Sequence, residues 1–283
     1  MDYFNFSTLL LFGDQADAEQ TDDIQSGIEE MMHMRTPIGT PAEYPRAQGH
    51  VTISVSTTFH PDARIAGAFP DLILVSSDQV YFHVHLHRIL EASENGFASL
   101  LPPKSQDDGF PPAVYVSEPA EVLNVIVHTI YDLSAAQFVP SFETVSVALN
   151  AMVKYGISPV RFITPAMPLY ALILSLAPHQ PIEAYALAAA HDLYGLAVAI
   201  SPHLLSFTLS SLTDELVVRI GPIYLKRLFF LHSIRMEALK KLLLHPPRPH
   251  PETVNCYGEQ QLRLTRVWAL ASAHLVWDAR PSA

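Results

Sequence analysis

Cysteine is almost absent from this sequence. Its 283 residues include one, Cys256, so no disulfide framework and no cysteine-rich zinc module can form within the chain. A reducing compartment fits that scarcity. Glycine is sparse as well, with 11 residues, which leaves few places where backbone could approach a nucleotide closely. Charged residues make up 16% of the chain, against about a quarter in ordinary globular proteins. Lys and Arg number 17 against 28 Asp and Glu, and a formal charge of −11 disfavours a protein that holds nucleic acid by neutralising phosphates. Long apolar runs are missing. Residues 162–177 are interrupted by Pro165 and Pro168, residues 184–200 contain His191 and Asp192, and neither is a membrane span. The first 12 residues open with Asp2 and lack the basic start of a secretory signal. A soluble intracellular protein, cytoplasmic or nuclear and without membrane attachment, is expected. Gly-x-Ser-x-Gly, Gly-x-Gly-x-x-Gly, Gly-x-x-x-x-Gly-Lys and His-Glu-x-x-His are all absent.

Proline, in contrast, is plentiful, with 23 residues. Pro37, Pro41 and Pro45 fall in the first 50 residues, while Pro119, Pro140, Pro159, Pro178, Pro181, Pro202 and Pro222 punctuate segments with helical periodicity. They predict short helices with stiff joints. Charge is uneven along the chain. Residues 1–50 carry nine acidic and two basic side chains, residues 51–200 thirteen and five, and residues 201–283 six and ten. The basic C-terminal third could meet an acidic partner, including the chain's own N-terminus, although a solvated helix face explains the same excess. Residues 1–50 are expected to be an acidic, disordered or loosely attached tail, with at most a short helix over 25–34.

Beyond the tail, Val51 to Ser56 alternates apolar and hydroxyl residues, the period of a half-buried strand. Leu72 to Val75 is a continuous apolar run, as in a strand covered on both faces. Val80, Phe82 and Val84 alternate with Tyr81, His83 and His85, and the two runs form a hairpin across residues 76–79. A helix over about 86–101 and a short strand at 113–116 follow. From Pro119 the chain is helical. Val122, Ile126 and Ile130 make one stripe with Leu123 and Val127 beside it, and a second helix runs from Ser141 to Tyr155-Gly156. Tyr155-Gly156 is echoed by Tyr194-Gly195, which suggests two stacked helical hairpins. Further helices are expected over 214–220, 223–244 and 260–276, with a Pro-rich break at 245–251. The helix around 225–244 reads as buried with a basic solvent side. The last helix, with Leu264, Trp268, Leu270, Ala271, Leu275 and Trp277, reads first as core and second as a partner groove.

Asp71-Leu72-Ile73-Leu74, then Val80-Tyr81-Phe82-His83-Val84-His85, then Ser93-Glu94-Asn95-Gly96-Phe97 form an ordered series. Val114-Tyr115-Val116, Thr129-Ile130-Tyr131 and Lys154-Tyr155 continue it. This series resembles a BTB/POZ domain, from about residue 70 to 157 and on through the helix ending near Ala177. Pro181 to Leu193, Tyr224 to His232 and Leu264 to Ala271 are similar to the BTB proteins abundant in mushroom-forming fungi. The resemblance implies an α+β, predominantly helical fold: a small three-stranded sheet flanked by helices, with a helical C-terminal extension. It divides the chain into the tail at 1–50, a BTB/POZ-like domain at 51–177 with its core from about 70, and a helical region at 178–283. It marks Asp71, Phe82, His85, Ser93, Phe97, Tyr131 and Tyr155 as signature positions of mainly structural role. One departure stands out. Many dimeric members carry an exchanged helix before the first family strand, where this chain has the strand-like Val51 to Ser56 and a Pro/Gly loop.

Candidate chemistry is thin. His83, His85 and His87 would share one face of an unbroken strand and could bind a metal, but no acid or thiol adjoins them, and the resemblance gives His85 a structural place. His191 and Asp192 are neighbours on a helix and would not face each other. Cys256 reads as a partly buried thiol. No catalytic, metal or cofactor site is assigned. The expected function is a protein–protein interaction module. The resemblance implies an adaptor that self-associates or recruits a partner to a cullin-type ubiquitin-ligase scaffold. The alternatives are a His-dependent hydrolase or metal-binding enzyme, and a transcriptional regulator acting through partners.

Overall fold

The computed structural model describes residues 42–44, 51–65, 67–102, 111–246 and 248–278. The expected helix over 25–34 and most of the expected tail lie outside them. Five strands form one sheet: β1 (Ala42–Tyr44), β2 (Val51–Val55), β3 (Leu72–Val75), β4 (Val80–Val84) and β5 (Ala113–Tyr115). Their order is β1-β2-β4-β3-β5. β3 and β4 are the expected antiparallel hairpin, with Leu74 opposite Phe82. β5 runs parallel to β3 and β2 parallel to β4, while β1 pairs antiparallel with β2 at the edge. The sheet is therefore wider than the three strands expected. The extra pairing joins Ser54 and Val55 to Val80 and Tyr81, a non-local contact that a strand's own period does not announce.

The hairpin turns without glycine because Gln79 accepts a left-handed φ of 63°. The Ser76 hydroxyl donates to Asp78 Oδ1 at 2.5 Å and accepts the Val80 N–H at 3.0 Å, so the turn is closed by side chains.

After β4 comes α1 (Leu86–Ala92), followed by a four-residue turn, α2 (Gly96–Ser99). The continuous helix expected over 86–101 is thus broken at Ser93. Ser93 is extended, pairs as a single bridge with Ile157, donates from its hydroxyl to Tyr155 O at 2.6 Å and accepts the Phe97 N–H at 2.7 Å. These bonds compete with helix continuation. Gly96, Phe97, Ala98 and Ser99 all have positive φ, a left-handed turn that L-residues avoid. The Phe97 ring is anchored there by stacking on Tyr155, with centroids 4.1 Å apart.

α3 (Ala120–Ile130) starts at Pro119, which has no side-chain oxygen to cap it. Asp78 of the hairpin turn supplies one, accepting the Ala120 N–H at 2.9 Å. Every α3 residue except Glu121 is buried, where two stripes were expected. Polar Asn124, His128 and Thr129 are enclosed with the rest, because α1 and α4 (Phe142–Lys154) flank the helix and Phe59 packs edge-on to His128. α4 begins where expected, the Ser141 hydroxyl accepting the Thr144 N–H at 3.0 Å.

α5 (Pro159–Phe162), α6 (Pro168–Leu176) and α7 (Pro181–Ala190) each place a proline in the first turn, where a missing N–H costs nothing. α8 (Tyr194–Ile200) and α9 (Asp214–Leu243) pack on α7, whose Ala184, Ala186, Ala188 and Ala189 let neighbours approach. The two helices expected over 214–244 run end to end within α9, parted at Gly221, whose φ of 71° and ψ of 165° only glycine adopts readily, followed by Pro222. Tyr224 beyond Gly221 donates to Asp192 Oδ1 at 2.7 Å, and Tyr185 donates to Tyr224 O at 2.9 Å. α10 (Gly258–Asp278) is last. Among the described residues no helix is long and apolar enough to cross a membrane.

The expected Tyr-Gly echo does not hold in position. Tyr155-Gly156 ends α4, whereas Tyr194-Gly195 opens α8. The equivalent of Gly156 is Asp192. Both have left-handed φ, 70° and 52°, and both precede an apolar residue whose N–H reaches five residues back: Ile157 to Met152 O and Leu193 to Ala188 O, each at 2.8 Å. Asp132 closes α3 in the same way, with Leu133 N–H donating to His128 O at 2.8 Å. Gly156 is the least replaceable of the three, since a Cβ there would lie 2.5 Å from the Asn95 side chain and 2.8 Å from its backbone nitrogen. Gly156→Ala is expected to lower unfolding free energy by at least about 2 kcal/mol, measured by urea titration, through left-handed strain plus that clash.

Candidate functional site

The seven signature positions do not converge on one site. They form two clusters at the two ends of α1, about 12 Å apart by helix rise. At the N-terminal end, Asp71 Oδ1 accepts the Leu86 N–H at 2.6 Å. His85 is 2% exposed and fully engaged. Its backbone N–H donates to Tyr131 Oη at 2.7 Å, the phenol in turn donates to Nδ1 at 2.8 Å, and Nε2–H donates to Ala68 O at 3.0 Å. The tautomer follows from the Ala68 carbonyl, which can only accept. Burial pushes the Tyr131 hydroxyl up to about 12, so it stays a neutral donor. Phe82 closes this cluster through Phe59, whose ring lies 6.4 Å from Phe82 and 5.2 Å from Tyr131.

Ser93, Phe97 and Tyr155 form the other cluster, at the C-terminal end. Around Tyr155 gather Glu118 and Lys154. The Tyr155 hydroxyl donates to Glu118 Oε2, and Lys154 Nζ lies 2.7 Å from Glu118 Oε1. Burial raises the Glu118 carboxyl, but the Lys154 and Tyr155 hydrogen bonds outweigh it and hold the group below its usual range. Asn95 Nδ2 donates to Lys154 O at 3.0 Å, satisfying a carbonyl at the end of α4. Phe59, Asn95 and Glu118 were not singled out from sequence. Asn95 lies within the Ser93-to-Phe97 stretch, and its capping role was the available signal.

The polar groups of both clusters are hydrogen-bonded within the fold. The His-x-His-x-His arrangement is not a strand face either, because β4 ends at Val84, leaving His85 and His87 at the start of α1 with rings 5.6 Å apart. His83 remains on the strand, where burial, and then His60, lower its pKa against the pull of Asp62. His191 caps α7, while its neighbour Asp192 is taken by Tyr224. Among the described residues no group of three or more His, Cys, Asp or Glu could hold a metal ion.

The exposed chemistry lies elsewhere. The second half of α9, read as buried, shows Phe229, Phe230, Ile234 and Leu242 to solvent. α10, read as core, is exposed over most of its length, with Val267 at 62%, Leu270 at 74% and Trp277 at 66%. Ser272 is the one buried α10 residue among those described, and Trp268 ties the helix to α9 by donating from its indole to Leu243 O at 3.3 Å. Periodicity showed a heavy apolar load on both helices. It could not show that α7, α8 and the first half of α9 already complete their own core, through Tyr185, Leu196, Ile220, Tyr224 and Leu228. A helix apolar on several sides is ordinarily buried, whereas on this pair those side chains are exposed.

No protein-family model matches this chain, and no curated protein matches it.

The buried clusters carry two predictions. Tyr131→Phe strands the His85 N–H and Nδ1, and chemical denaturation should show a loss of about 2 kcal/mol. His128 is 1% exposed, with Nδ1–H donating to Asn124 O at 2.8 Å and Nε2 unpartnered among the described residues. Burial lowers its pKa, the Asn124 bond offsetting this only in part. The unfolded chain therefore takes up a proton that the folded chain refuses, and stability falls as pH drops below about 6.5. His128→Gln should show a shallower dependence of unfolding free energy on pH over that window.

Proposed function

We propose that this chain is a non-catalytic protein–protein interaction module of BTB/POZ type, an adaptor whose residues 51–177 engage a scaffold or a second copy and whose helical region 178–283 holds another protein. The reading rests on one contrast. The polar constellations that could do chemistry are hydrogen-bonded within the fold, around α1 and between α7 and α9, while α9 and α10 carry a long succession of exposed apolar side chains. An adaptor of this kind works by proximity, raising the effective concentration of one partner beside another.

The order of elements supports the BTB/POZ assignment: a β3–β4 hairpin, a short helix, β5 parallel to β3, then two antiparallel-capable helices ending at Tyr131 and Tyr155. The signature residues support it too, since each is a capping or core group at a junction between these elements. β2 occupies the place of the exchanged helix of dimeric members and is engaged with β4, so self-association would have to use another surface. An intracellular setting, cytoplasmic or nuclear, suits a cullin-type ubiquitin-ligase scaffold as the partner of the first region.

Co-purification with a cullin-type scaffold, from a preparation whose sedimentation shows its oligomeric state, is the direct test. Capture is expected, and failure of both monomeric and self-associated fractions to bind removes the scaffold from the proposal. Leu264→Asp with Val267→Asp, on the exposed helix, should leave thermal stability within about 0.5 kcal/mol of the parent. It should also retain scaffold binding and lose whatever protein the helical region holds.

A further inference from the structure

The charge around the exposed helices narrows what can cover them. Residues 223–278 carry eight Lys and Arg against four Asp and Glu, in a chain whose total is −11. Two of the four acids are already tied locally, Glu237 to Lys241 at 3.6 Å and Glu259 to Arg263 at 2.6 Å. Arg227 lies between the Tyr194 and Tyr224 rings, and Arg235 donates to Leu205 O. Among the described residues, Lys240, Arg248 and Arg266 have no carboxylate within ion-pair distance. The surface is thus apolar with unspent positive charge.

Three occupants can be compared on physical grounds. A lipid surface favours a helix split cleanly into a basic face and an apolar face. On α10, Arg263 and Arg266 alternate with Leu262, Leu264 and Val267, and all of the three apolar residues are exposed. Insertion of any one side would bury charge. A second copy applied through the same face would bring two basic excesses together, which costs affinity. An acidic amphipathic helix answers both features. Its apolar stripe covers the Leu and Val side chains, and its Asp and Glu meet the unpaired Lys and Arg. Trp268 joins α10 to the end of α9, and a further helix can pack against two that are in contact.

We infer that α9 and α10 bind an acidic, amphipathic helical segment of another protein, anchored on Leu264, Val267 and Leu270 and charge-matched by Lys240 and Arg266. This rests on the interaction-module reading and names the partner chemistry of its helical region.

A displayed library of randomised helical peptides of about 20 residues, long enough for five turns, tests it against the full-length chain. The selected pool is expected to be net acidic with an apolar stripe, and a synthetic peptide from it to bind less tightly as salt rises. Lys240→Glu with Arg266→Glu should weaken that peptide at least about tenfold with an unchanged circular-dichroism spectrum, and should shift a repeat selection toward basic peptides. Leu264→Asp with Val267→Asp should abolish binding. A neutral or basic pool, or no enrichment, overturns the inference. So does binding to phosphatidylserine-containing vesicles, or a concentration-dependent dimer, that the Leu264→Asp and Val267→Asp pair removes. Peptide selection does not involve the scaffold. An acidic pool with no cullin capture leaves this inference standing and removes the scaffold, and the reverse result does the opposite.

Discussion

α1 has seven residues, too few for a helix to persist on its own backbone bonds, and both of its ends need partners. The groups that supply them join the rest of the fold. At the start, Asp71 from the strand side and Tyr131 from the end of α3 take the Leu86 and His85 N–H groups. At the finish, Ser93 and Asn95 turn outward to the carbonyls that α4 leaves unpaired at Tyr155 and Lys154. Sheet, α3 and α4 are therefore held to one another by the needs of a single short helix. The hairpin adds a further link, since Asp78 caps α3. Removing Tyr131 or Ser93 leaves a buried donor or acceptor stranded, so these signature residues act as joints.

The same economy governs helix ends. α3, α4 and α7 all stop on a left-handed residue followed by an apolar one, but the residue differs with its surroundings. Glycine is required after α4 because Asn95 fills the space of a side chain. Asp192 serves after α7 because its carboxylate is wanted by Tyr224, across the bend that Gly221 allows in α9. With few glycines available, aspartate does part of their work, and proline starts the helices that follow.

The far end of the chain is built differently. Its inner half is closed by Tyr185, Tyr224 and their neighbours, while Phe229, Phe230 and the apolar residues of α10 remain outside that closure. The buried core of the folded body and the exposed apolar side chains of α9 and α10 are thus separate sets of residues.

Much of the local architecture was determined by sequence alone. The hairpin, the Ser141 start of α4, the Tyr155-Gly156 stop, the proline-led helices and the last three helical segments follow from period, caps and φ preferences, which act over a few residues. The paired ends of α1 were legible as residue types, yet their role was not, because Ser93 meets Tyr155 across 62 positions of chain. Only tertiary structure decided that the helix after β4 breaks at Ser93, that α3 is buried along all its length but Glu121, and that the sheet takes in β2 and β1. It also reversed the reading of α9 and α10. An apolar stripe states that a helix wants cover, but whether the chain itself provides it depends on how much core its other elements have already filled.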